Sequence, residues 1–566
     1  MTYKILIDSK KDSWACVLSQ DVCLHFVGSP FFDGEMLSSY ESVLLEFSKC
    51  DLNNLSVVSD FLKRFDGLYG FVFENRDSVL VVTDRVKSFS FFYSVKDKNI
   101  VLSNRAHLVK QEMSLDKQNT EGVIEFLVSG FCWGNRTLYD GLLQLPPACF
   151  LLYDKATFKC GEYSYYDYLP NTKKTLSRNE IEKSTESDLV SEFEDMLYKS
   201  FKRLKTFLDR KGLRPVVPLS GGVDSRLMVI MLHEVGVSSV LCFTYGSETE
   251  SEVDTSRKMA KKMGMEWEFI PYSKNKWSDE YNSFQMTNFL EYSGELSINP
   301  HIQDYIAVKE LVKKYSNHLM FLPGHSLDYL AGSHIPADLY RSLTVSLNDL
   351  AYAIIRKHFR HHCLYSADRK TIRNVILEVL STYSMDSKSE MLAALENIDW
   401  KERQSKLIIN SLNVYRFFGC SCYVPFWEKE FFDFFAKLPY NQKIGRCFCL
   451  RALHVLFPKH YSEVKPVTEH ISITQTLLLK LKSFFSTTAS IDLWARRLSN
   501  NTYKSLICDA GLSRFGSFDV ESKSTDEFAR KMASKTDVRT VLYLYHVDYL
   551  KKMGVNLSSV NASYLK

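Results

Sequence analysis

The sequence predicts an α/β fold: an amino-terminal part built on sheets, a parallel sheet wrapped by helices, and a mostly helical remainder. Three patterns predict it. Short apolar runs punctuated by turn residues fill residues 1–175, apolar runs alternate with amphipathic stretches from Arg214 to Leu322, and helical periodicity prevails beyond Ser333.

The amino-terminal runs are Gly70–Phe73, Val79–Thr83, Phe89–Tyr93, Ile100–Leu102 and Cys149–Tyr153. Turn formers such as Asn75-Arg-Asp77 and Lys96-Asp-Lys-Asn99 separate them. The polar, charged stretch Pro170–Asp188 reads as a boundary between domains, ahead of a helix over Leu189–Arg210. Strands are expected at Val216–Leu219, Val240–Thr244, Trp267–Ile270 and Leu319–Leu322, and helices at Arg226–Glu234, Glu252–Met263 and Gln303–Tyr315. This alternation forms parallel sheets with right-handed crossovers, which bind ligands beyond the carboxyl ends of their strands. Two distinctive segments, Ser220–Ser225 and Pro323–Gly332, fall at such ends.

Composition excludes several classes. With 566 residues, 45% hydrophobic and 24% charged, the chain is a folded protein of three or four structural units rather than a disordered or fibrous one. Lys+Arg at 71 against Asp+Glu at 67 leaves +4, which argues against a nucleic-acid or anionic-membrane partner. An odd 13 cysteines in a long chain do not read as a disulfide framework, so reduced thiols and a cytoplasmic location are expected. Met1–Lys10 lacks the apolar core of a signal peptide, and stretches such as Leu227–Leu232 fall far short of the ~20 residues of a membrane span. Cys420/Cys422 and Cys447/Cys449 are too closely spaced for the usual zinc pairs and read as small buried hydrophobes.

The chemistry concentrates in Ser220-Gly-Gly-Val-Asp-Ser225, between the strand ending at Leu219 and a helix. Two adjacent glycines let the backbone turn sharply and expose its N–H groups. The two hydroxyls and the helix N-terminus suit pyrophosphate, while Asp224 would repel phosphate unless a cation such as Mg2+ intervenes. The loop lacks the Gly-x4-Gly-Lys-Ser/Thr pattern, which disfavours kinase or motor chemistry.

The loop resembles the Ser-Gly-Gly-x-Asp-Ser loop of the N-type ATP pyrophosphatases. Asp66-Gly-Leu-Tyr-Gly-Phe-Val-Phe73, Thr83-Asp-Arg85, Phe92-Tyr93, Asn135-Arg-Thr-Leu-Tyr-Asp-Gly141 and Leu145-Pro-Pro147 follow the order of pieces in asparagine synthetases. So do Leu322-Pro-Gly-His-Ser-Leu-Asp-Tyr-Leu-Ala-Gly332, Val424-Pro-Phe-Trp-Glu-Lys-Glu430, Lys437-Leu-Pro439 and Leu450-Arg451. The resemblance, to the glutamine-hydrolysing asparagine synthetase family, covers about residues 60–460. It implies an Ntn-hydrolase-like αββα sandwich at 1–175, similar to class II glutamine amidotransferases. It also implies a PP-loop, adenine-nucleotide α-hydrolase-like ATP pyrophosphatase domain at 176–460; a helical extension would follow at 461–566.

The resemblance assigns roles by position. ATP and pyrophosphate would contact Leu219, Ser220, Gly221, Gly222, Val223, Asp224, Ser225, Phe243, Thr244, Tyr245 and Gly324. Thr244 and Tyr245 equally suit plain strand-end packing. Asp224 and Asp328 would hold Mg2+ on the departing pyrophosphate. Position 2 carries Thr2 where glutamine-using members have Cys, and no segment resembles the family's glutamine-holding piece, so the first domain reads as a degenerate glutaminase kept as scaffold. His325 replaces a family Glu that recognises the amino-acid acceptor; it reads as a general base working near neutral pH or as a loop hydrogen-bonder. Cys447 stands where the family has a catalytic Lys, leaving Arg446 or Lys443 to reach in.

The expected activity is an ATP-dependent carbon–nitrogen ligase forming an acyl adenylate, with ammonia or an amine displacing AMP. Pro323–Pro336 looks like variants from bacterial surface-polysaccharide clusters, which points to a uronic-acid sugar carboxylate. β-Lactam synthetase and lasso-peptide cyclase chemistry are the alternatives within the class, and a catalytically silent binding protein is the alternative outside it. A small-molecule carboxylate, a nitrogen donor and a second copy of the chain are the expected partners.

Overall fold

The computed structural model describes residues 3–19, 21–37, 39–97, 99–170, 185–246, 251–359, 366–461, 546 and 548–557. They form a mixed α/β architecture with two sheets in the amino-terminal part and one in the second. The strands Phe65–Glu74, Ser78–Thr83 and Cys149–Asp154 are antiparallel neighbours in a seven-stranded sheet that the hairpin Ala15–Ser19 and Val22–Phe32 extends to its edge. A four-stranded sheet contains Tyr3–Leu6, Asn99–Ser103, Phe92–Lys96 and Leu143–Gln144. Aromatic side chains, among them Phe47, Phe65, Tyr69 and Phe71, fill the core on the larger sheet.

The expected strand at Phe89–Tyr93 begins only at Phe92. Asp84 explains the delay: its carboxylate accepts the backbone N–H groups of Val86 and Ser88 at 2.9 and 3.1 Å, holding 84–88 in a turn. The boundary stretch 170–188 falls mostly outside the described residues, which resume at Thr185 as the N-cap of the helix Glu186–Lys211.

The sheet of the second part is wholly parallel, in the order Glu266–Pro271, Leu241–Gly246, Arg214–Pro218, Leu319–Phe321, Ser421–Cys422. Its crossover helices include Val223–Glu234, Ser251–Lys262 and Tyr305–Tyr315. Their apolar faces, among them Met228, Ile230, Met231 and Leu311, are buried in the main core. Two helices lie where none was expected, Lys274–Tyr281 and Phe284–Gly294. Ser273 and Ser283 cap them, accepting N–H groups of Lys276 and Met286 at 3.3 and 3.1 Å. Beyond Ser333 the chain is mostly helical, interrupted by the short strand Ser421–Cys422. Most of the expected helical extension at 461–566 lies outside the described residues. Tyr549 is wholly buried and occupies space that a Cβ on Gly294 would fill.

The two parts are tied by buried charge. Asp66 pairs with Arg85 at 3.0 Å and accepts the backbone N–H of Lys429 at 3.0 and 2.9 Å. Glu295 receives Lys11 at 2.6 Å and Arg105 at 2.7 Å. The Asp66-Gly, Thr83-Asp-Arg85 and Trp427-Glu-Lys429 segments, far apart in the chain, thus meet at one seam.

Candidate active site

The strand Arg214–Pro218 delivers Ser220–Ser225 to the carboxyl edge of the parallel sheet. The loop closes on itself: Ser220 Oγ lies 3.0 Å from Ser225 Oγ, and Ser220 N and Gly222 N donate to Ser225 Oγ and Ser220 Oγ, each at 3.2 Å. Gly222 is the N-cap of Val223–Glu234 and supplies no side-chain acceptor, so the first N–H groups of the helix are left for an anion.

Asp224, in the first turn, accepts from the Arg446 guanidinium on Oδ1 and from the backbone N–H of Asp328 on Oδ2 at 3.1 Å. Burial pushes the Asp224 carboxyl up to about 6, against the pull of Arg446 and with the push of Asp328. Asp328 goes the other way. Burial opposes its charge, but His334, Arg446 and Arg403 hold its carboxyl well below the usual range. Ser333 Oγ donates to Asp328 at 3.2 Å, and His334 Nε2 lies 3.5 Å away. His334 is itself held by Asp399, 2.5 Å from Nδ1.

Ser333, His334 and Asp399 were not singled out from the sequence. His334 sits six residues beyond Asp328, within reach of a search for charge partners; Asp399 comes from the separate helix Lys388–Asp399 and carries no local signal.

Arg446 reaches Asp224 from the left-handed backbone region, φ 65° and ψ 24°. Lys443 does not join it. Its ammonium is buried against Glu396 at 2.5 Å and Tyr168 Oη at 3.1 Å, and burial lowers its basicity. Cys447, next to Arg446, opens the helix Cys447–Leu456.

Gly324 packs directly on the glycine loop, where a Cβ would come within 2.7 Å of Ser225 N and Cα. His325 follows it, with a buried Nε2 that has no hydrogen-bond partner. Burial, reinforced by His301, lowers its imidazole to about 4. That burial disfavours the imidazolium form and makes the ring a weaker base than one tuned near neutrality.

At the second strand end the side chains serve the interior. Thr244 Oγ1 lies 2.7 Å from Leu219 O and from Ser256 Oγ, and receives Trp267 Nε1 at 3.3 Å. Tyr245 Oη donates to Asp304 at 2.6 Å, and Phe243 is wholly buried. These contacts turn the Thr244 and Tyr245 hydroxyls toward the interior. Leu219 is buried, while Gly221 and Val223 are partly open beside the loop. Thr2 lies outside the described residues.

The donor set suits a divalent cation. Two carboxylates lie at neighbouring strand ends, Asp224 is raised chiefly by burial and further by Asp328, and the Asp328 side chain remains 39% exposed. No helix among the described residues is long and apolar enough to cross a membrane.

No curated protein sequence matches this chain. Among solved structures, glutamine phosphoribosylpyrophosphate (PRPP) amidotransferase from B. subtilis, complexed with ADP and GMP, is 11% identical. The match covers 45% of this chain and 72% of that one, with a TM-score of 0.19. Residues 210–320 match the family model described as asparagine synthase, a span that contains the glycine loop and stops short of Asp328. The segment that carries the loop, Asp224 and the strand-end threonine is therefore similar to the asparagine synthase family.

Proposed function

We propose that the protein is an ATP-dependent, AMP-forming amide ligase. The observation that carries this is Asp224, fixed between Arg446 and the Asp328 N–H at the mouth of an uncapped glycine loop, in a segment of asparagine-synthase type. A substrate carboxylate oxygen attacks the α-phosphorus of ATP and the α–β bridging bond breaks, giving an acyl adenylate and pyrophosphate. Ammonia or an amine then attacks the acyl carbon, an amide forms and AMP leaves.

Charge grows on phosphate oxygens in the first step. The loop N–H groups, Ser220, Ser225 and the Arg446 guanidinium are placed to receive it without reorganising. Asp224 and Asp328 are the residues that would hold Mg2+, which supplies charge neutralisation to the departing pyrophosphate. Asp399 orients His334, and His334 keeps Asp328 ionised. His325, neutral and with its Nε2 unpartnered, accepts a hydrogen bond from the incoming amine.

The substrate class is a uronic-acid sugar of a surface polysaccharide, supported by the Pro323–Pro336 segment and by His325 in place of a carboxylate. The amino-terminal part serves as scaffold, so the nitrogen comes from solution or from an amine rather than from glutamine. ATP–pyrophosphate exchange over nucleotide-linked uronic acids, amino acids and precursor peptides tests the reading. Exchange is expected with a uronic acid; exchange with an amino acid or peptide alone moves the substrate elsewhere, and none with any of them overturns the ligase.

A further inference from the structure

A second cluster of chemistry-bearing side chains lies far from the glycine loop, on the edge of the amino-terminal sheet. The hairpin Ala15–Ser19 and Val22–Phe32 pairs Cys16 directly with His25 and Leu18 with Cys23. Side chains two apart on one strand share a face, so Cys23 and His25 project on the side that Cys16 occupies across the ladder. The result brings Cys16 Sγ and Cys23 Sγ to 3.6 Å, and Cys23 Sγ and His25 Nε2 to 3.5 Å, with all three atoms within 4.8 Å of one another.

Those separations have a chemical meaning. Zinc bonds of ~2.3 Å to sulfur and ~2.0 Å to nitrogen, at tetrahedral angles, set edges of about 3.8 Å between two sulfurs and about 3.6 Å between sulfur and nitrogen. Two edges of the cluster already match. The third, within 4.8 Å, would close by a small rotation of the exposed Cys16 side chain. A disulfide would require the sulfurs at about 2.05 Å, and both cysteines are free thiols.

We propose that Cys16, Cys23 and His25 form a zinc site, with a water molecule in the fourth position. Two thiolates and a neutral imidazole balance the charge of the divalent ion. Cys23 Sγ lies within reach of both Cys16 Sγ and His25 Nε2, so a single ion can bond all three. Binding releases thiol protons, because the thiolate is the ligand.

Glu74 supports the site from the next strand. It stands opposite Cys23 in the ladder, and Tyr3 Oη at 2.6 Å and Lys155 Nζ at 2.8 Å fix its carboxylate. The ion would stitch the outermost strand of the sheet to its neighbour, at an edge otherwise held by one hairpin ladder. The Cys-x-Cys pairs offer nothing comparable: Cys420 and Cys449 are buried, and Cys422 lies beside the Arg416 guanidinium.

The full-length protein, reduced and stripped of metal, is titrated with cobalt(II) and then with zinc. One thiolate-bound cobalt per chain is expected, read from a thiolate-to-metal charge-transfer band that zinc abolishes. Cys16→Ser and Cys23→Ser should each weaken binding at least tenfold, whereas Cys50→Ser leaves it unchanged. Zinc should raise the unfolding midpoint of the wild type and not of Cys16→Ser. No charge-transfer band, binding indifferent to Cys16→Ser and Cys23→Ser, or a Cys16–Cys23 disulfide in protein purified without reductant would each overturn the site. Loss of ATP–pyrophosphate exchange is not a readout here, so the site and the ligase reading stand or fall separately.

Discussion

Gly324 rests on the peptide that joins Asp224 to Ser225, so closely that a methyl group would come within 2.7 Å of Ser225 N. The contact fixes the distance between the two strand-end loops that carry Asp224 and Asp328. In Gly324→Ala one loop must retreat, and catalysis by positioning is steep in distance. Exchange should fall about a hundredfold with the circular dichroism spectrum unchanged; an active variant would show that the loops tolerate separation.

Arg446 and Asp224 form one charged unit. Removing either should cost exchange about 10²–10³-fold, and removing both should cost little more, because each single change already dissolves the pair. Single and double alanine variants assayed in parallel decide the matter. Effects that multiply would mean that Arg446 acts on the nucleotide alone.

Thr244 is expected to matter for the sheet and not for the nucleotide. Its hydroxyl ties the strand Leu241–Gly246 to Leu219 and to Ser256. Thr244→Val should lower stability by ~1–2 kcal/mol while KM for ATP shifts by less than about twofold. A large rise in KM with unchanged unfolding would restore a nucleotide-binding role.

Glu428 gives the seam a pH dependence. In the unfolded chain its carboxyl titrates near 4.5, whereas burial raises it to about 7 in the fold, against the pull of Arg203 and with the push of Asp66. The folded protein therefore holds an extra proton between those values, and this group's contribution to stability falls as pH rises from about 4.5 to 7. The slope is at most ~1.4 kcal/mol per pH unit. Glu428→Gln should flatten the dependence of the unfolding midpoint over that range; an equal slope in both proteins would assign it to other groups.

The sheet elements were legible because apolar runs of four to six residues alternate with turn formers or amphipathic stretches, and packing obeyed that pattern at Val79–Thr83 and Val216–Leu219. The glycine loop was legible because its function needs consecutive residues. What escaped depends on distance in the chain. Ser421–Cys422 is too short to show a period, and it becomes a strand only because Met320 and Phe321 offer it a partner. The His334–Asp399 contact spans 65 residues. Cys16, Cys23 and His25 converge only once a hairpin folds, so no local spacing marks them. Ser273 and Ser283, followed by helix-compatible stretches, did announce two helices as N-caps, a local signal that apolar periodicity alone does not capture.

Asp66 and Lys429 are separated by 363 residues, and that interval sets an order of events. The amino-terminal sheet pairs strands that are mostly near neighbours in the chain and can form early. Asp66 and Arg85 then wait, solvated, at its surface. Closing so long an interval is slow because the chain entropy is lost before the contact forms. Water leaves the pair only when the segment around Lys429 docks and donates its N–H. By that argument the Asp66–Lys429 contact closes after the sheet that carries Asp66 has formed, and with it the two parts of the chain are joined.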